Sequence, residues 1–167
     1  MWDREEICCF TGHRPSKLPW GTREEDPRCL DLKRRLGQAV REAYRRGCRH
    51  FISGMALGCD FYFCEAVLDL RRQHPEVTLE AAVPCPEQAE RWTAAEQARY
   101  QGLLWACNIR TLIAKEYSST CMHQRNRYMV DRSGLLIAAY DGSAGGTRYT
   151  MDYAARQGLS RILVAIE

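Results

Sequence analysis

Four short stretches of the sequence hold residue types that could do chemistry. Thr11, Gly12, His13 and Arg14 open TGHRP, and Ser53, Gly54, Met55, Gly58 and Asp60 punctuate SGMALGCD. Arg125 and Asn126 sit inside CMHQRNRYMVDR, while Asp141, Gly145, Gly146 and Thr147 belong to YDGSAGGTRYT. Turns stripped of side chains let backbone N–H groups approach an anion, and a helix starting there adds the positive end of its dipole. The same glycines also serve a tight connection that needs φ > 0. His13 and Arg14 add basic groups, or are simply solvated. Arg125 falls between Met122 and Met129 on one helix face, where an arginine can grip a phosphate or carboxylate through two parallel hydrogen bonds. Its alternatives are an interior salt bridge or a surface arginine lying along its own apolar stem. Taken together, the four stretches point to a nucleotide-like small molecule.

Such residues act together only if one architecture gathers them. Apolar runs at 7–10, 50–53, 77–83, 109–114, 134–140 and 161–166 read as strands. Segments 26–46, 60–74, 87–106, 122–132 and 147–157 read as helices, with Gly47, Pro75 and Gly158 as stops. The strands are short, continuous and apolar, as central strands buried on both faces are. Unbroken alternation of strand and helix predicts one α/β unit over 1–167, a three-layer Rossmann-like domain with a mainly parallel, doubly wound sheet. In that arrangement every strand-to-helix loop emerges at the carboxyl edge, so residues near 11–14, 53–60 and 141–147 become neighbours.

Composition bounds the partners. A net charge of +3 does not demand a polyanion. The nine cysteines are odd in number and contain no C-x-x-C, so no metal site is predicted. The thiols read as reduced, mostly buried and cytoplasmic. The opening MWDREE is too acidic for a secretory signal, and no stretch approaches the ~20 apolar residues of a membrane span.

MHQRNRYM, followed after a strand by GGT at a helix start, resembles the MHxRK…M and PGGxGTxxE signatures of the LOG proteins. Those are phosphoribohydrolases that release the base from a nucleoside monophosphate. SGMALGCDFYFCEAVL resembles a stretch of DprA, the DNA-processing protein that binds single strands. With TGHRP at the front and GGTRYTMDYA at the back, the chain is identified as a member of the SLOG superfamily. It is most similar to the small standalone bacterial YpsA-like branch, from Phe10 to Gly158. The resemblance implies the fold above and a site containing Arg125, which matches the LOG arginine. It also places Thr150 beside the ligand, where the LOG pattern has its catalytic glutamate. The proline and first glycine of PGG are replaced within Gly142–Ser143–Ala144, and the DprA histidine position holds Cys64. With the arginine kept and the glutamate gone, a sensor or weak hydrolase is implied more strongly than LOG chemistry.

N-glycosidic cleavage would need a carboxylate to stabilise an oxocarbenium-like centre or activate water. Asp60, Glu65 and Asp141 are the carboxylates near the predicted edge. Asp60 contacts ribose hydroxyls, caps the second helix or acts as general base, and Asp141 forms an Asx turn before Gly142. Cys59, at a helix start, is either a low-pKa thiol or a small packing residue. The expected ligand is therefore a nucleoside phosphate or an ADP-ribose-like molecule, with no certain cofactor. Single-stranded nucleic acid is the weaker alternative, because Phe61, Tyr62 and Phe63 fall inside a helix rather than on a stacking surface. Homo-oligomerisation stays open.

Overall fold

Runs such as Phe51–Ile52 and Leu135–Ile137 present no polar side to water, so they settle where both faces are covered. The computed structural model, which describes residues 1–167, shows how. Strands β1 (Ile7–Gly12), β2 (His50–Ser53), β3 (Thr78–Val83), β4 (Ile109–Leu112), β5 (Leu135–Tyr140) and β6 (Ser160–Ala165) pair in parallel. Their order across the sheet is β4-β3-β2-β1-β5-β6. The chain steps outward from β1 to β4, then returns past β1 to lay down β5 and β6. A right-handed crossover changes face when the direction of travel reverses. Accordingly α1 (Pro27–Arg45), α2 (Cys59–Gln73) and α3 (Ala94–Ala106) cover one face, and α4 (Cys121–Arg132) and α5 (Gly146–Arg156) the other.

Strand side chains alternate between the two layers. Cys8, Phe10, Phe51, Leu79 and Ile137 enter the three-helix core with Leu36 and Phe63. Cys9, Ile52, Leu136 and Ala138 enter the smaller core with Met129, Val130 and Met151. Phe10 and Phe63 stack at 4.7 Å between ring centroids. The predicted two-sided burial fits the four inner strands but not the sheet edges, where Leu112 is 52% and Leu163 50% exposed.

One helix expectation needs correction. The segment 87–106 is helical only from Ala94, because Thr93 closes a capping box: its Oγ1 accepts from Glu96 N (3.1 Å) while Glu96 Oε1 accepts from Thr93 N (2.9 Å). Leu30 is exposed, and the buried stripe of α1 runs through Cys29, Leu32, Leu36, Ala39, Val40 and Ala43.

Beneath α4, β3 carries a buried carboxylate. Glu80 Oε1 accepts from His50 Nε2 (2.7 Å), and Oε2 accepts from the hydroxyls of Tyr128 (2.6 Å) and Thr111 (2.7 Å). Trp2 stacks on His50 at 4.1 Å. Burial opposes the charge on Glu80, but these hydrogen bonds outweigh it and hold the carboxyl below its usual range. All nine cysteines are unpaired and buried. Burial drives the Cys9 thiol up to about 12 and the Cys59 thiol higher still. Cys59 is thus a packing residue rather than a low-pKa thiol, since desolvation outweighs its place at the start of α2. No helix is long and apolar enough to cross a membrane.

Candidate functional site

Strand order reverses between β1 and β5, and at their carboxyl ends lies a cleft of about 300 Å³. Of the residues singled out in the sequence, Thr11, Gly12, His13, Arg14, Asp60, Arg125, Asn126, Gly146 and Thr147 line it. Ser53, Gly54, Met55, Gly58, Asp141 and Gly145 do not line it. Glu65 is not brought there: it faces α3 and pairs with Arg99 Nη2 at 2.9 Å. Thr150 is not there either, being buried with its hydroxyl donating to Gly146 O (3.0 Å).

The two glycine-rich turns do different work. In 53–60 the N–H groups serve the protein itself: Met55 N donates to Ser53 Oγ (3.1 Å), Ala56 N to Asp60 Oδ2 (2.9 Å) and Cys59 N to His13 O (3.2 Å). Asp60 therefore fastens this turn and does not cap α2, whose N-cap is Gly58. Gly58 has φ +87, and a Cβ there would sit 2.9 Å from the His13 carbonyl oxygen. Only glycine lets the second loop clasp the first so closely. Met55 holds φ +60, uncommon for a bulky residue, with its side chain fully buried.

Gly54 makes room for a side chain rather than a ligand. A Cβ on it would lie 2.7 Å from Arg125 Nη1, which donates to Gly54 O at 2.5 Å. Arg125 is 5% exposed, and its Nε donates to Asn126 Oδ1 at 2.8 Å. It forms no ion pair, and Nη2 has no protein partner. A buried guanidinium without a carboxylate on it is a poised anion receptor.

The turn before α5 keeps its donors. No side chain caps this helix, and a Cβ on Gly146 would meet nothing within 4 Å. Its first N–H groups have no intrahelical partner. Lys17 packs on this turn, donating from Nζ to Ala144 O (2.6 Å). Asp141 forms the expected Asx turn by accepting from Ser143 N (2.9 Å), and also accepts from His13 Nε2 (2.7 Å). The Ser143 hydrogen bonds first, then His13, hold its carboxyl well below the usual range. An aspartate carboxylate accepts, so His13 donates to it from Nε2, and Nδ1 faces the Thr147 hydroxyl at 3.3 Å. The pair fixes an imidazole and a hydroxyl at the head of α5.

Arg14, Lys17 and Arg125 line the cleft against one carboxylate, Asp60. Burial raises the Asp60 pKa, opposed by the charge of Arg125 and the Ala56 N–H. Burial pulls Arg125 down, with Asp60 opposing. The balance is positive and desolvated, which strengthens attraction for an anion. Sequence reasoning missed Phe10, Ser16, Lys17, Ala56, Met122, His123 and Met129 as lining residues. Ser16 and Lys17 continue the TGHRP loop. His123 and Arg125, two apart on α4, both line the cleft.

The YspA SLOG family model matches residues 8–161. The SPbeta prophage-derived protein YoqJ of Bacillus subtilis (strain 168) is 32% identical over 145 residues, covering 79% of this chain and 85% of that protein. A UPF0398 protein of Bacillus pumilus (strain SAFR-032) is 24% identical over 144 residues, 85% of this chain and 77% of that one. Among solved structures, DNA processing protein A from Helicobacter pylori, studied for its single-stranded DNA binding mode, matches with a TM-score of 0.60 at 17% identity. The match covers 97% of this chain and spans 65% of the neighbour's length. At that identity it shows a shared fold.

Proposed function

The chain belongs to the YspA SLOG family, and we propose that it forms one domain over 1–167 that binds a nucleotide or nucleotide-derived small molecule at the carboxyl edge of the sheet. A nucleoside phosphate or an ADP-ribose-like compound fits the chemistry, and the role is that of a sensor. The observation that carries this reading is Arg125, buried, lining the cleft and bonded only to neutral acceptors. Its guanidinium, Arg14 and the uncapped start of α5 would share the phosphate, with the Thr147 hydroxyl beside them. Asp60 lines the same cleft and would accept from ribose hydroxyls.

Calorimetry with AMP and adenosine tests the reading. Arg125→Ala is expected to weaken AMP binding by roughly 1.5–3 kcal/mol, the worth of a charge-assisted contact, and to leave adenosine almost unchanged. Equal losses for the two would make Arg125 structural. Failure of AMP, ADP-ribose and ribose 5-phosphate alike to bind the wild type would end the proposal. Gly54→Ala should reproduce the Arg125→Ala loss without unfolding the protein. The added Cβ displaces only the far end of a side chain, and Gly54 has no positive φ.

Turnover is a separate matter. Little or no free base is expected from nucleoside monophosphates, because Thr150 offers no carboxylate and Asp60 is engaged by Ala56 N. Chromatography of AMP incubated with the wild type checks this, and brisk adenine release would assign the chemistry to Asp60. A nucleic-acid reading is favoured by the DNA processing protein A likeness. Against it, Phe61, Tyr62 and Phe63 are buried and unavailable for stacking on bases. Tight, steeply salt-dependent binding of an oligo(dT) strand would favour it instead.

A further inference from the structure

Continuous with the cleft through Arg14, Ser16, Ala56 and Met122 lies a second cavity of about 270 Å³. Its far wall differs in kind, being built from Leu57, Gln88, Trp92 and Glu96. Trp92 meets Phe61 and Tyr100 at 6.0 and 5.2 Å with rings nearly perpendicular, so neither lies parallel on the indole. Gln88 Nε2 is 3.5 Å from the Tyr100 hydroxyl, while Gln88 Oε1 is buried with no hydrogen-bond partner. Native proteins rarely bury a carbonyl without one. Glu96 commits one carboxylate oxygen to the Thr93 N–H, which leaves its second oxygen and Gln88 Oε1 as acceptors on this wall, beside the Thr22 hydroxyl. An aromatic face beside an orphaned acceptor suits a flat heterocycle that carries an amino group.

We propose that this second cavity is a base subsite for a purine bearing an exocyclic amino group, stacked on Trp92 and donating to Gln88 Oε1. This rests on the nucleotide reading above and extends it. The phosphate lies between Arg125 and the start of α5, the ribose spans the shared lining at Ala56 and Met122, and the base reaches the β3–α3 segment. The two cavities together fall within the ~300–1,000 Å³ usual for small-molecule sites.

Calorimetry with five compounds tests it: ribose 5-phosphate, AMP, purine riboside 5′-monophosphate, GMP and IMP. Within each nucleotide pair the second member lacks only the amino group. In at least one pair the amino-bearing member should bind about tenfold or more tightly, and Gln88→Leu should erase that preference. Trp92→Leu should bring all four nucleotides toward the affinity of ribose 5-phosphate. Ribose 5-phosphate should bind both variants as it binds the wild type, which also verifies their folding. Equal affinity of ribose 5-phosphate and the nucleotides, or an amino preference that survives Gln88→Leu, would overturn the base subsite while the phosphate reading stands. No binding of any compound, ribose 5-phosphate included, would remove both.

Discussion

Gly146→Val is expected to abolish nucleotide binding while leaving the circular dichroism spectrum and melting temperature near those of the wild type. Gly146 is the first residue of α5, and its φ lies outside the left-handed region. A Cβ there has no neighbour within 4 Å, so the protein tolerates a side chain. What the valine occupies is the approach to the uncapped N–H groups, beside Thr147 and the rest of the cleft lining. Several charge-assisted contacts would be lost together, each worth about 1.5–3 kcal/mol, so affinity should fall by more than ~100-fold. In a thermal-shift assay, wild type at one hundred times its Kd gains ~2.7 kcal/mol from ligand. The variant should show no shift. Global unfolding would mean Gly146 is needed for the turn, and retained binding would place the ligand elsewhere.

Glu80→Ala is expected to destabilise the fold by about 3–5 kcal/mol in urea denaturation at neutral pH, because it leaves three buried or half-buried donors unpaired at about 1–3 kcal/mol each. The side chains of His50, Tyr128 and Thr111 would all lose their acceptor on Glu80. The pH dependence follows from the lowered pKa of Glu80. A carboxylate whose folded pKa lies below its unfolded value contributes stability above the unfolded value. That contribution is lost as pH falls through the folded one. The gap between wild type and variant should therefore be full at pH 7 and narrow progressively below about pH 4.5, the ordinary glutamate value. A gap that stayed constant into acid would show that Glu80 does not fold as a carboxylate. The network lies on the α4 face beneath β3, away from the cleft lining, so ligand affinity should change little in whatever fraction remains folded.

Much of the fold was legible because its causes are local. The alternation of short apolar runs with helical periods reports which segments bury one stripe and which bury both faces. Gly47 and Gly158 could be read as helix stops because a left-handed turn there favours glycine, and both have positive φ. The one large boundary error, at 87–93, had a local signal too: T-A-A-E at 93–96 is a capping-box pattern. The site was legible in part. TGHRP, Arg125 and GGT do meet at one cleft, because a parallel sheet sends every strand-to-helix loop to the same edge.

The sequence by itself determined the layers, the edge at which the loops emerge and the family the chain belongs to, since periodicity, turn chemistry and motif order are properties of neighbouring residues. Only the tertiary structure decided how each residue is used. Strand order set β1 against β5 and so brought the loop after β1 and the start of α5 at 146–147 to the same cleft. It left the turn at 53–60 to support Arg125 and clasp the first loop, although its glycines read like those of the α5 turn. It turned Glu65 toward Arg99 and buried Thr150 under Gly146. Whether a backbone N–H is free for a ligand depends on which distant acceptor reaches it first: His13 O reaches Cys59 N from 46 residues away along the chain. That competition is settled by packing between segments that no local pattern connects.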